Sequence, residues 1–313
     1  LIKKMLHKVL LVCAALVDVS AGFRTSGLPQ RLLKSAVAVR SGASSELTPA
    51  TIIGANGRIG DLLASLNLGK DTLVGRADSI PEDGQGPIFV CTRNDVLSEV
   101  IDKTPMSRRE DLVFLQNGYL ETFLESKGLA ANTQALIFFA VSKKGELPID
   151  GKTDLNPEGL TKVTGKWGEA LAERVRAAGL SCDVVGGDAY RVAMFEKLIW
   201  IDAFMLVGAL SGAGTTVGDV ERQHCQQVTE LIDEMATAVA GKTGCQFGPG
   251  VGERLCAYAR SVAHFPTAIK EFEWRNGYFW DLSEGAEDTG TADPCPLHTA
   301  YCNRGLVDDV FNF

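Results

Sequence analysis

Short apolar runs broken by glycine turns make up the first part of the chain's body, and long apolar stretches at helical period make up the rest. Residues 50–53, Ala-Thr-Ile-Ile, form a β-rich run that leads straight into Gly54-Ala55-Asn56-Gly57-Arg58-Ile59-Gly60. From there amphipathic spacing predicts a helix through Leu66. Similar apolar runs at 71–74, 88–91, 111–115 and 136–141 predict strands, with helix-period stretches at 95–102 and 119–126 between the later ones. This alternation predicts a parallel sheet covered by helices over residues 46–164. Beyond residue 165 the period is helical throughout, predicting helices over 165–178, 190–210, 218–241, 250–264, 267–283 and 297–310. The expected fold is therefore α/β, with a mostly helical second domain over 165–313.

Charge separates a third segment from these two. Residues 1–45 hold seven Lys or Arg and a single acid, which leaves −14 on the remainder of a chain whose net charge is −8. An acidic body repels phosphate backbones, and no local basic patch offsets this, so nucleic acid is not an expected partner. Within the basic segment, Met5-Leu6-His7-Lys8 precedes nine apolar residues, Val9 to Val17, and the small residues Ser20-Ala21-Gly22, the layout of a signal peptide. Nine residues fall short of the roughly 20 that span a bilayer, and no later segment predicts a span. Phe23 to Ser45 is rich in Ser, Ala, Arg and Lys and free of acids, as a transit peptide is. The pair resembles the two-part presequence of algae with complex plastids, which implies a stromal location; a plain secretory signal followed by a linker is the alternative. The eight cysteines show no CxxC pair and no zinc-ligand spacing. Free thiols fit a reducing stroma, and no metal is expected.

The glycine turn carries the first chemistry. Between a strand and a helix, Gly54, Gly57 and Gly60 let backbone N–H groups and a helix N-terminus face a pyrophosphate, because glycine tolerates the dihedrals and leaves no side chain in the way. The spacing is GxxGxxG in place of GxGxxG, so Asn56, Arg58 and Ile59 join the expected cofactor-binding set. Thr92, just past the third strand run, completes it on that edge. After the second strand run, Leu73-Val74-Gly75-Arg76 sets an arginine where dinucleotide folds meet the adenosine ribose. An acid there suits NAD, whereas an arginine pairs with a 2'-phosphate, so NADP(H) is the expected cofactor of a Rossmann-like domain. The same glycine spacing occurs in extended short-chain-dehydrogenase-like epimerases, but no tyrosine here is followed four residues on by lysine, which excludes that class.

From residue 50 to 305 the chain resembles the ketopantoate reductase (2-dehydropantoate 2-reductase) family, through several blocks in the family's order. These are Thr51 to Gly60, Leu73 to Arg76, Leu115-Gln116-Asn117-Gly118, Trp167 to Leu171 with Ala178-Gly179-Leu180, Phe195-Glu196-Lys197-Leu198-Ile199-Trp200, Glu271 to Tyr278, and Pro294 to Leu297. The resemblance implies a hydride transfer to a keto carbon, with Lys197 as general acid, Asn117 lining the nicotinamide and keto group, and Glu271 orienting the substrate or the lysine. Lys197 lies in an otherwise apolar stretch, where a lone ammonium is costly unless paired or working; the plainer account is a lysine that snorkels to water. For Glu271 the plainer account is an exposed helix face, and for Asn117 an ordinary Asn-Gly turn.

On the substrate side the resemblance implies Ser261 and Asn276, and it breaks at Ile201 and Met205, where the family has asparagines four and eight residues after its lysine on the same helix face. An apolar pair leaves a hydroxy-carboxylate's polar groups unpaired at about 1–3 kcal/mol each, which argues against ketopantoate itself. Only eleven residues separate Arg76 from Ile88, too few for the usual helix and strand on the adenine side. Two functions follow as expectations. One is an NADPH-dependent reductase of a 2-keto acid or related small carbonyl substrate, supplying pantothenate in the plastid. The other is a non-catalytic Rossmann-fold subunit of a larger plastid complex. Homodimerisation through the helical domain is what the family implies for partners.

Overall fold

The computed structural model describes residues 46–311, so the leader expected over residues 1–45 lies outside the described residues. Seven strands form one sheet: β1 (Thr51–Ile53), β2 (Thr72–Val74), β3 (Ile88–Val90), β4 (Leu112–Phe114), β5 (Thr133–Leu136), β6 (Lys162–Thr164) and β7 (Asp183–Val184), in the order β2-β1-β3-β4-β5-β6-β7. All pairings are parallel except β5 with β6. The central strands are short and apolar on both sides because both faces are covered. Their period of two assigns Ile52, Phe89 and Val113 to one core and Ile53, Val90, Leu112 and Phe114 to the other.

Helix α1 (Arg58–Ser65) and α4 (Gly168–Ala177) cover the first face, while α2 (Leu97–Lys103) and α3 (Glu121–Ser126) cover the second. Arg174 of α4 is fully buried and clamps Asp71, ahead of β2, with two hydrogen bonds at 2.5 and 3.0 Å. It also donates to Thr48 O and Leu63 O, which ties the first and last parts of the sheet together.

Six helices complete the fold: α5 (Gly187–Ser211), α6 (Val217–Gln223), α7 (Cys225–Thr243), α8 (Val251–Ser261), α9 (Asn276–Thr289) and α10 (Pro296–Val307). The 25-residue α5 is apolar almost all round because it is the centre of this layer; it packs on β5 and β6 and against α6, α7, α8 and α10. Caps define the boundaries. Thr216 and Asp219 make a reciprocal capping box at α6, and Gly244 and Gly290 end α7 and α9 in the left-handed region.

Four departures from the sequence expectation have physical causes. The strand expected over 136–141 is shifted back to Thr133–Leu136, since β5 pairs antiparallel with β6 and the chain beyond it leaves the sheet. Strands β6 and β7 are two or three residues long, so the sheet runs on to Val184 although no strand was expected past 141. The helix expected over 218–241 breaks at His224. The helix expected over 267–283 begins only at Asn276, because Glu271 holds φ at +50° and Arg275 takes φ −125°, ψ −96°. Among the described residues no helix is long and apolar enough to cross a membrane, and no group of His, Cys, Asp and Glu could hold a metal ion. The seven described cysteines are unpaired.

Candidate active site

The carboxyl edge of the parallel strands presents two different surfaces, one of backbone and one of charged side chains. The backbone surface is the glycine turn between β1 and α1. Gly54 sits at φ +83°, and a Cβ there would lie 2.7 Å from Cys91 O. Gly57 is the N-cap of α1, and its N–H donates to Gly54 O at 2.9 Å. Gly60, inside the helix, lets α1 approach the turn so closely that a Cβ would stand 2.4 Å from Gly54 O. Gly54 and Gly60 are thus required by a close approach, as a phosphate-facing helix N-terminus demands, while a Cβ at Gly57 would make a tight contact of 3.2 Å with Gly54 O. Opposite them Thr92 places its Cγ2 3.3 Å from the position a Gly54 Cβ would take, and its Oγ1 is buried without a hydrogen-bond partner. A cradle that side chains would fill, beside an orphaned hydroxyl, fits a dinucleotide diphosphate.

The remaining residues of the expected cofactor set are placed as follows. Asn56 and Arg58 are exposed and Ile59 half-buried. Arg58 does not face the turn alone: its guanidinium donates to Val141 O at 3.1 Å and Ser142 O at 3.3 Å, pinning the loop after β5. Arg76 is exposed two residues beyond β2, the edge strand, and no strand or helix intervenes before Ile88.

The QNG block follows β4 at the same edge. Gln116 Nε2 donates to Val90 O (2.8 Å) and Thr92 O (3.1 Å), while Asn94 Nδ2 donates to Asn117 O at 2.9 Å, so the loop is locked to the end of β3. Gly118, at φ +110°, has Trp274 O where a Cβ would be, at 2.3 Å, and Tyr119 N donates to that carbonyl at 2.7 Å. Segment 271–275 of the helical half is stitched onto this loop. The strained Glu271 completes the stitch, accepting from Asn94 N at 3.4 Å and from Arg275 Nη2 at 2.7 Å. Glu271 therefore stands on a turn and not on a helix face, and its carboxylate is committed to Arg275.

Lys197 lies inside α5 with 5% of its surface exposed, so it does not snorkel. Its ammonium donates to Ile137 O, just past β5, and sits 4.5 Å from the Phe138 ring centroid. Burial, helped by the charge of Arg275, pushes its pKa down to about 7. Such an amine gives up a proton near neutrality, which is what a general acid needs.

Ile201 is buried and Met205 half-buried in the helical core. Two other expected substrate residues are turned away: the Ser261 hydroxyl donates to Tyr258 O within α8, and Asn276, 1% exposed, accepts from His298 Nε2 at 3.0 Å. His298 is buried at the heart of α9 and α10, which holds its pKa down to about 3 and keeps it neutral. Two charged groups in this region were not singled out from the sequence. Asp202 of α5 is fully buried with neither carboxylate oxygen hydrogen-bonded, and burial raises its pKa well above the usual range. Arg275 spends one of its five N–H donors on the protein. An acid inside the most apolar helix was a readable signal; Arg275 had none. A cavity of about 380 Å³ opens beside Gln116, Gly118 and the Glu121–Arg191 ion pair, but neither the glycine turn nor Lys197 lines it.

No protein-family model matches the chain, and no curated protein matches it by sequence. Solved structures do. A 2-dehydropantoate 2-reductase from Methylococcus capsulatus superposes with a TM-score of 0.60 at 17% identity, over 83% of this chain and 97% of the other. A dimeric ketopantoate reductase from Staphylococcus aureus gives 0.58 at 17%, over 82% and 96%. D-mandelate dehydrogenase in a ternary complex with NADH and anilino(oxo)acetate gives 0.57 at 13%, over 82% and 98%. Coverage of nearly the whole of each of these chains, sheet and helical layer together, establishes that this chain has the ketopantoate reductase fold.

Proposed function

We propose that this protein is a nicotinamide-dinucleotide-dependent reductase of 2-oxo acids, with NADPH as the preferred reductant and Lys197 as the proton donor. The observation that carries the reading is the buried ammonium of Lys197, anchored past β5 on the strand edge that also bears the glycine turn and the QNG loop. The bound dinucleotide would supply the hydride. Gly54, Gly57, Gly60 and Thr92 would hold its diphosphate, and Arg76 the 2'-phosphate. Lys197 releases its proton to the keto oxygen as charge develops there and is recharged from water, so the product is a 2-hydroxy acid. Asn117, fixed through its carbonyl by Asn94, lines the nicotinamide side, and Glu271 fixes Arg275 beside the lysine.

Similar structures support the chemistry: D-mandelate dehydrogenase carries NADH and an oxoacetate derivative in this fold. A dimeric relative in fold supports a homodimer. Unpaired cysteines suit work in a reducing plastid stroma. The non-catalytic reading is weaker, since a scaffold has no use for an amine held out of water near its neutral point.

Fluorescence of NADPH titrated with the purified protein tests the cofactor, and turnover of a panel of 2-oxo acids tests the chemistry. Lys197→Ala is expected to lower kcat about 10²–10⁴-fold with NADPH affinity retained. In the native protein, reduction should slow as pH rises through about 7, where Lys197 loses its proton. Absence of NADPH binding, or a flat profile from pH 6 to 9 with chemistry rate-limiting, would overturn the assignment.

A further inference from the structure

Resting on that reading, the unspent donors of Arg275 identify how the substrate is held. Its side chain is 14% exposed, and among the described residues it hydrogen-bonds Glu271 alone, through Nη2; Nε is buried with no acceptor there. A guanidinium so nearly buried and so poorly paired is normally completed by an anion, for which its planar fork is shaped. Among the described residues Glu271 is the one carboxylate bonded to it, and none meets Nε. Burial raises the pKa of the Asp202 carboxyl against the attraction of Arg275 and so disfavours its charged form, and Glu271 also accepts from Asn94 N.

The backbone around Arg275 is held for this purpose. Trp274 O is bonded by Tyr119 N, and Glu271 holds a left-handed conformation that no helix would impose, so the 271–275 turn is fixed against the QNG loop, with the Arg275 charge acting on Lys197. The helix face beyond Lys197 offers Ile201 and Met205, which supply no donor to an anion and suit an apolar substituent. We propose that Arg275 is the substrate-anion anchor: it receives the carboxylate of a 2-oxo monocarboxylate with an apolar side chain, whose keto oxygen then faces Lys197.

The test compares the native protein with Arg275→Gln and Arg275→Lys, using NADPH as reductant. The probes are pyruvate, 2-oxobutyrate, 2-oxoisovalerate and phenylglyoxylate, each with its uncharged carboxamide. Arg275→Gln is expected to raise KM for the carboxylates about 100-fold while KM for the carboxamides moves less than about threefold and the Kd for NADPH is unchanged. Arg275→Lys keeps the charge and loses the fork, so the carboxylate KM should rise about tenfold; it carries the test if the Gln variant does not fold. Equal changes for acid and amide, or no change for either, overturn the anchor while leaving the reductase intact. A native protein that binds NADPH and reduces none of the four acids overturns the reductase reading itself, a distinct result.

Discussion

The two surfaces that meet at the strand edge are built on opposite principles. At the β1–α1 turn the sequence removes side chains: three glycines bring backbone groups within contact distance, and the unpaired polar atoms nearby are the Thr92 hydroxyl and Gln116 Oε1. At the helical surface the sequence inserts ionisable groups where water is excluded, with Lys197, Asp202 and Arg275 all carrying fewer partners than their burial would ordinarily require. The first surface is backbone geometry that is already satisfied and shaped for a diphosphate. The second keeps groups whose pKa values are displaced and whose donors await an occupant, a combination that favours chemistry over stability.

The sharpest way to break this contrast is to add one methyl group to the backbone surface. Alanine at position 60 would gain about 1 kcal/mol of helix propensity over glycine. Its Cβ, however, would meet Gly54 O at 2.4 Å, Ala55 Cα at 2.8 Å and Gly54 C at 2.9 Å, all backbone atoms that cannot yield. Overpacking of this kind costs about 1–3 kcal/mol, so the clash should win. Gly60→Ala is expected to lower stability in denaturant unfolding and to weaken NADPH by tenfold or more. Gly57→Ala, whose Cβ would stand 3.2 Å from Gly54 O, should do less of both. Equal effects from the two would mean that helix approach is not what Gly60 provides.

A smaller effect tests the charged surface. Because Asp202 has its pKa raised in the folded state, the folded protein keeps a proton that the unfolded chain releases near pH 4. Stability should therefore fall as pH rises above the unfolded value, and the loss continues until the folded group also ionises. Asp202→Asn removes this titration at nearly constant shape. The variant should unfold like the native protein below about pH 4 and be increasingly more stable than it as pH rises from about 4 to 8. A variant less stable than native throughout the range from pH 5 to 8 would show that Asp202 is ionised and pairs with Arg275.

The same contrast explains what could be read from the sequence. Gly54, Gly57 and Gly60 lie within seven residues, and their meaning depends only on the strand and helix beside them, so spacing sufficed. Lys197 was legible because an ammonium interrupts an apolar helix. Glu271 was legible only through family resemblance, and its setting was misjudged: helical period ran through a turn that φ +50° at Glu271 interrupts. Strands β6 and β7 are too short to show a period, and they are held by pairing with β5 and with each other. Arg275 acquires its role from residues 78 positions earlier in the chain, through proximity to Lys197 that no local pattern records. Asn276 and Ser261 show the converse, since His298 and Tyr258 O, which no local pattern pairs with them, engage their side chains.

Arg58 lies between the two surfaces and gives the smallest and most discriminating test. It follows the N-cap glycine of α1, where an arginine could meet a diphosphate, yet its Nη1 already donates to Val141 O and Ser142 O across 83 and 84 residues. The residue is exposed, so these bonds are largely exchanged against water and contribute at most about 1 kcal/mol. If its work is to hold the loop after β5, which begins at the Lys197 acceptor Ile137, Arg58→Ala should lower stability by that small amount. NADPH affinity should then change less than about threefold, and the larger effect should fall on kcat through the placement of Lys197. A tenfold loss of NADPH affinity with unchanged kcat would assign Arg58 to the phosphates, and with it to the backbone surface.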